Sequence, residues 1–368
     1  MHNMKIGVIA HIKHPIRSPF SGGLEAFTYD ICRQLMQKGH QITLFASSKS
    51  DESLNVYSIL DDTYYNDETG FREKRPNVSS EYMAEHHAYM DLMQHIDTLN
   101  LDIIFNNSLH YVPITMAGML ETPMLTVLHT PPFFELQNAV KLAESRSDMK
   151  YITVSAKNAA NWSDYTANCD VIPNGINLQL WEYHPEAKGD YVIWFGRIHP
   201  DKGTHLALQA AKMAGVKLQI VGTIADEKYY NEQVAPLLNE QIICAGHKNQ
   251  EELNNLIGNA ILSLITPVWE EPFGLVVAES LACGTPVAGF ATGALPLLIT
   301  EETGVLVAPG DAKALAQAIE KARLKNRASC RRHAEASFDA DNMVQQYEEQ
   351  LSQWAKLSPV HQSDIDHL

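Results

Sequence analysis

Cysteine is scarce in this chain, and its spacing suggests no pairing. The 368 residues hold five, Cys32, Cys169, Cys244, Cys283 and Cys330. The number is odd, the positions are scattered and no Cys-x-x-Cys occurs. That argues against a disulfide framework or a cysteine zinc site and predicts reduced thiols in a cytoplasmic protein. Positive charge is also short, with 28 Lys and Arg against 44 Asp and Glu, a formal balance of −16. A surface of that sign disfavours nucleic acid and anionic membranes as partners. No apolar run approaches the ~20 residues of a spanning helix, and no basic amphipathic helix suggests a lipid acceptor. The opening MHNMKIGVIAHIKHP has only a short apolar run broken by His and Lys, so it reads as a first strand and not as a signal peptide. Gly-x-Gly-x-x-Gly is missing, which disfavours a nicotinamide dehydrogenase. Tandem repeats and low-complexity tracts are missing too.

What is present is length and a strand–helix alternation. A single core rarely grows past roughly 250–300 residues, so 368 residues predict two domains. KIGVIAHI (5–12) reads as a strand, SGG (21–23) as a turn, LEAFTYDICRQLMQK (24–38) as a helix and QITLFAS (41–47) as the next strand. Residues 51–80, with Tyr64 and Tyr65, read as a long surface excursion. A helix is expected over 80–97, then strands at 101–107, 123–129, 151–156 and 170–173. PNGINLQLWEYHPEAKGD (173–190) has turn chemistry and reads as a linker. The pattern then restarts with strands at 191–196, 217–222, 241–246, 260–266, 286–290 and 304–309. Two such series predict two doubly wound α/β domains, 1–172 and 191–340, facing a cleft. A last amphipathic helix spans 341–357 and runs into a polar tail after Pro359.

The candidate chemistry is concentrated in WEEPFGLVVAESLACGTPVAGF (269–290). Pro272 forces a turn, Gly274 permits close backbone approach, and 275–283 is helical. A helix starting near Phe273, Gly274 and Leu275 offers unpaired N–H groups and a positive dipole end, an anion site. Glu279 lies inside that apolar helix. Buried without a partner it would be costly, so it is read as gripping vicinal hydroxyls of a ligand, with Glu271 gripping another polyol beyond the anion. GRIHPDKG (196–203) follows a strand, and Arg197 with Lys202 stands where an α/β sheet would hold a diphosphate. Gly22 and Gly23 form either an ordinary βα turn or a close approach to a phosphate. His129 ends a strand in VLHTPPFF and is either structural or a cleft residue. Asp339 to Asp341 imitate a metal motif but sit where helix caps are common. His87, Asp91 and His95 share a helix face and are read as solvated, so no metal site is assigned.

GRIHPDKG, IVG and above all EEPFGLVVAE, with its E-x7-E spacing, resemble the retaining GT-B glycosyltransferases of family four. The resemblance covers essentially the whole chain. It implies the GT-B fold, with two Rossmann-like domains and a C-terminal helix (341–368 with its tail) crossing back to the N-terminal domain. It also implies a nucleotide-diphosphate sugar donor, UDP-sugar in expectation, whose hexosyl unit passes with retention to an acceptor hydroxyl, and no metal or other cofactor. Arg197 and Lys202 would bind the diphosphate, Glu271 the sugar hydroxyls and Glu279 the ribose. The backbone of Phe273, Gly274 and Leu275 would line the sugar–phosphate, Gly22 and Gly23 would approach the diphosphate, and His129 would contact the transferred sugar. Gly222 falls at the family's glycine, but VGTIAD lacks the second glycine often found there, and Asn177 stands where Asp is usual. Front-face attack, with a donor phosphate oxygen taking the acceptor proton, needs no protein base. A sugar-nucleotide epimerase, a phosphorylase and a non-catalytic nucleotide-sugar-binding subunit remain as alternatives. The acceptor is expected near 13–21, 57–80 and 131–138, where Phe133 and Phe134 either stack on it or pack under the loop.

Overall fold

The computed structural model describes residues 3–61, 80–144 and 149–356. The chain divides into two compact units, Met1–Ile172 with Val344–Leu368, and Pro173–Met343.

The first unit runs β1 (Lys5–Ile9), α1 (Gly23–Gln37), β2 (Gln41–Ser47), β3 (Val56–Leu60), α2 (Ser80–His95), β4 (Ile103–Asn106), α3 (Tyr111–Met116), β5 (Met124–Leu128), α4 (Phe134–Ala143), β6 (Met149–Thr153), α5 (Ala156–Trp162) and β7 (Cys169–Val171). Its strands form one sheet in the order β3-β2-β1-β4-β5-β6-β7, parallel throughout. Ile6 lies opposite Ile42 on one side and Ile103 on the other. The central strands are apolar at consecutive positions because helices cover both faces of a parallel sheet. α1 buries Phe27, Ile31, Cys32 and Leu35 along one helical stripe.

One expectation needs correcting here. Part of the presumed surface excursion is β3, which pairs with β2 through Leu44–Val56 and Phe45–Tyr57. It is an edge strand with Tyr57 and Ser58 exposed, so it shows no continuous apolar run to read. The rest of that excursion, with Tyr64 and Tyr65, and the tail after Pro359 lie outside the described residues.

The second unit runs β8 (Tyr191–Phe195), α6 (Thr204–Ala214), β9 (Lys217–Val221), α7 (Glu227–Tyr229), β10 (Ile242–Cys244), α8 (Gln250–Asn259), β11 (Ser263–Ile265), α9 (Leu275–Ala282), β12 (Val287–Phe290), α10 (Leu295–Leu298), β13 (Gly304–Val307), α11 (Ala312–Ala322) and α12 (Arg327–Ser337). The sheet order is β10-β9-β8-β11-β12-β13, again parallel. Residues 173–190, expected as a linker, are held to this unit by two arginines. Arg327 Nε donates to His184 O at 2.8 Å and Arg331 Nη1 to Trp181 O at 2.7 Å.

The last helix, α13 (Ala340–Ala355), begins with Asp339 Oδ1 accepting from Asp341 N at 3.0 Å. From Val344 onward the chain belongs to the first unit. There Tyr347 is fully buried with its ring centroid 5.8 Å from Phe27 and 5.4 Å from Phe105. Glu348 pairs with Lys38 at 3.0 Å and His40 at 3.1 Å.

Candidate functional site

In both sheets the strand order reverses once, between β1 and β4 in the first and between β8 and β11 in the second. Ligands of open α/β sheets bind outside the carboxyl ends of the strands at such a reversal. In the second unit the segment after β8 carries Arg197 and Lys202, and the segment after β11 carries Glu271. Residues far apart in the chain therefore meet because their strands are neighbours.

The β8 loop is tightly built. Pro200–Lys202 form one three-ten turn capped by His199, whose Nδ1 lies 2.7 Å from Asp201 Oδ1. Thr266 Oγ1 donates to Lys202 O at 2.9 Å and accepts from Trp194 Nε1 at 3.0 Å. Val268 N donates to Asp201 O at 2.8 Å, tying the β8 and β11 segments together. This holds Lys202 Nζ 2.6 Å from Glu271 Oε2. The same oxygen accepts from Trp269 Nε1 at 3.0 Å, and Lys202 Nζ lies 5.0 Å from the Trp269 ring centroid, a cation–π distance. Trp269 was not singled out in the sequence, although it stands two residues before Glu271. Behind it, Ala294 N donates to Glu271 O at 2.8 Å.

Arg197 lies on the same loop but reaches Asp201 at 3.6 Å, not Glu271, and is half-exposed. Gly222 sits where a Cβ would lie 1.8 Å from Gly196 O, so glycine there lets β8 and β9 end side by side. Gly274 caps α9 in the left-handed region (φ 100°), turning the chain out of the Pro272 bend into the helix. Phe273 has a buried side chain, so only its backbone is left to face a ligand. Val277 N donates to Gly274 O at 2.9 Å, which leaves the N–H groups of Leu275 and Val276 without an intrahelical acceptor. Glu279, inside α9, is only partly exposed, and burial alone pushes its carboxyl up to about 7. Among the described residues no group donates to it.

Three expected residues belong to the first unit. Gly22 is the N-cap of α1 in extended backbone, followed by Gly23, the first helical residue. Glu25, which the sequence reading passed over, folds into this first turn. It is buried and lies 3.6 Å from His11 Nδ1. Burial would raise its carboxyl, but hydrogen bonds from His11 and from its own backbone N–H, with the electrostatic pull of His11 and His14, together outweigh that and hold it low. His129 follows β5, with Nε2 2.8 Å from Asn107 Oδ1 and its ring edge-on to Phe27 at 4.8 Å. Burial drives His129 down to about 3, so it is neutral at physiological pH. Among the described residues no group of three His, Cys, Asp or Glu is placed to hold a metal ion. None of their helices is long and apolar enough to cross a membrane.

Parallel sheets, their reversals and the loop pair after β8 and β11 define a GT-B α/β fold. The fold is shared with sucrose-phosphate synthase from Thermosynechococcus elongatus (TM-score 0.78, 19% identity, 95% of this chain and 99% of that one). It is also shared with Anabaena HepE solved in complex with UDP and glucose (TM-score 0.75, 21% identity, 95% and 100%). The Glycosyltransferase Family 4 model matches residues 21–180 and the Glycosyl transferases group 1 model residues 179–338. The chain belongs to this family of group 1, family-four glycosyltransferases. Among curated relatives, glycogen synthase of Mycobacterium tuberculosis is 28% identical over 252 residues, 61% of this chain and 60% of that protein. D-inositol 3-phosphate glycosyltransferase of Mycolicibacterium paratuberculosis is 32% identical over 171 residues, 42% and 38%. The chain thus spans about 60% or less of the length of these relatives.

Proposed function

We propose that this protein transfers a hexosyl unit from a nucleotide-diphosphate sugar, a UDP-sugar, to an acceptor hydroxyl, with retention and without a required metal. The observation that carries the reading is the Lys202–Glu271–Trp269 contact at the reversal of the second sheet. It sets an ammonium, a carboxylate and an aromatic ring at one point beside the start of α9. A leaving diphosphate needs cations and aligned N–H groups, supplied by Lys202, Arg197 and the first turn of α9. A sugar needs a carboxylate to accept from its hydroxyls, the role given to Glu271. Among the described residues no group donates to Glu279, and vicinal ribose hydroxyls would satisfy it. Solution of Anabaena HepE with UDP and glucose supports the choice of UDP.

In the transfer, the bond from the anomeric carbon to the phosphate oxygen breaks and a bond to the acceptor oxygen forms on the same face. The acceptor proton passes to the departing phosphate oxygen. Lys202 exchanges its Glu271 partner for that phosphate as the donor binds. Within the first unit, His129, neutral, is the candidate for a sugar contact and Gly22 with Gly23 for a phosphate contact.

A thermal-shift panel of UDP, GDP, ADP, dTDP and their sugars, with and without Mg²⁺, tests donor and metal together. A ligand at a hundred times its Kd stabilises by about 2.7 kcal/mol. A metal-independent shift with UDP and a UDP-sugar, then an α-linked product from an α-linked donor by NMR, supports the reading. No shift with any nucleotide removes it.

A further inference from the structure

The first sheet repeats the reversal of the second, and its reversal point has contents that the donor reading does not use. His11 follows β1. Asn107, Ser108, Leu109, His110 and Tyr111 follow β4. Leu109 is held at φ 54°, a left-handed conformation unusual for a residue with its side chain. The turn it makes delivers His110 to the N-cap of α3, where Nδ1 accepts from Val112 N at 3.2 Å. That contact fixes the tautomer, with the proton on Nε2. His110 is 5% exposed, and its Nε2 is buried with no hydrogen-bond partner among the described residues. A buried donor without an acceptor is the kind of group a ligand oxygen satisfies.

Rings surround it. Tyr111 stacks on His110 at 4.8 Å with 23° between planes. Tyr89 closes the inner side at 4.7 Å, its hydroxyl donating to Ala10 O at 2.7 Å. Tyr82 and His86, both partly exposed, stand at 5.5 and 6.3 Å on the outer side, and His86 Nδ1 is 2.5 Å from Tyr111 Oη. The charged groups acting on Tyr82 and Tyr111 are carboxylates, Glu85 and Glu135 on the first and Glu135 on the second. Burial drives His110 to about 3, so it stays a neutral donor. A phosphate or carboxylate would meet repulsion from these carboxylates, and burial holds the neighbouring His86 toward its neutral form. A ring with an apolar C–H face and hydroxyl oxygens suits tyrosine rings and one N–H donor.

We infer that Tyr82, His86, His110 and Tyr111, at the reversal of the first sheet, bind an uncharged sugar or other cyclic polyol. Its identity as the acceptor rests on the transferase reading; the binding itself does not. The site lies on α2 and the β4–α3 junction, outside the segments where the sequence reading looked for an acceptor.

The test is direct binding by saturation-transfer NMR and calorimetry. The probes are methyl glucosides, maltose, N-acetylglucosamine and myo-inositol, set against glucose 6-phosphate and inositol phosphate. At least one neutral probe is expected to bind more tightly than its phosphorylated counterpart. H110A is expected to weaken it about tenfold or more, the cost of one lost donor, and H110Q less. Because His110 also caps α3, Tyr82→Ala is the second variant, expected to weaken the same probe with the cap intact. No binding of any neutral probe, tighter binding of the phosphorylated ones, or unchanged affinity in both H110A and Tyr82→Ala overturns the inference. UDP-glucose hydrolysis on the same wild-type sample tests the transferase reading separately: loss of hydrolysis with sugar binding intact fails that reading and keeps this site.

Discussion

Lys202 Nζ lies 2.6 Å from Glu271 Oε2, across 69 positions of sequence. The pair bridges the segments after two neighbouring strands, β8 and β11, and Trp269 supports it from the side. An ammonium and a carboxylate that satisfy each other before the donor arrives must part for it, so removing either one has a distinct effect.

Lys202→Ala is expected to lower UDP affinity at least tenfold and to leave uridine affinity within about twofold, since the lysine is assigned to phosphate and not to nucleoside. Calorimetry with both ligands checks this. Equal loss for both, or no loss for UDP, would remove Lys202 from the diphosphate site.

Glu271→Gln is expected to keep UDP affinity or raise it, because Lys202 loses its competitor, while turnover falls about a hundredfold or more with the sugar contact weakened. Steady-state kinetics beside UDP titration separates the two effects. A variant that loses UDP affinity in proportion to turnover contradicts the assignment.

Glu279 titrates near 7 in the free protein. Its folded pKa is raised above the ordinary carboxylate value, so its contribution to stability is fully present below about pH 4.5 and lost as pH rises through about 7. The ribose reading needs the charged form as hydrogen-bond acceptor. Uridine affinity is therefore expected to rise between about pH 6 and pH 8 in the wild type. Glu279→Gln is expected to bind more weakly with a flat profile. A flat wild-type profile takes Glu279 off the ribose.

Glu348 holds α13 to the first unit through Lys38 and His40. Burial would raise its carboxyl, but hydrogen bonds from Lys38 and His40 outweigh it and hold the group below the ordinary carboxylate range. Its stabilisation is thus present above about pH 4.5 and lost as pH falls below that value. Glu348→Ala is expected to cost about 2–4 kcal/mol at neutral pH, because His40 keeps a buried N–H without a partner. The gap to wild type should narrow in acid. Urea titration at pH 7 and pH 4 measures both.

The strands read as continuous apolar runs, such as KIGVI and MLTVL, were legible because parallel sheets are buried on both faces. β3 was not, since an edge strand with Tyr57 and Ser58 in solvent carries half the signal. At the site, the turn formers and charges of GRIHPDKG and EEPFG were visible. Trp269 stood beside them unread, because nothing in the order of residues says that its indole N–H meets Glu271. Glu25 and His110 were missed for a related reason: one folds back onto its own helix start and the other is aimed by the Leu109 turn.

The sequence by itself determined that this chain builds two parallel α/β units, which residue types cap their helices, and where glycine and proline bend the loops. These are local properties, carried by periodicities of two and 3.6 residues and by backbone freedom. The tertiary structure alone decided which loops stand side by side. Strand order, not sequence distance, put Lys202 against Glu271, and the reversal between β1 and β4 put His110 among tyrosines from another helix. Charge pairing, tautomer and burial follow from that adjacency, and the chemistry follows from them.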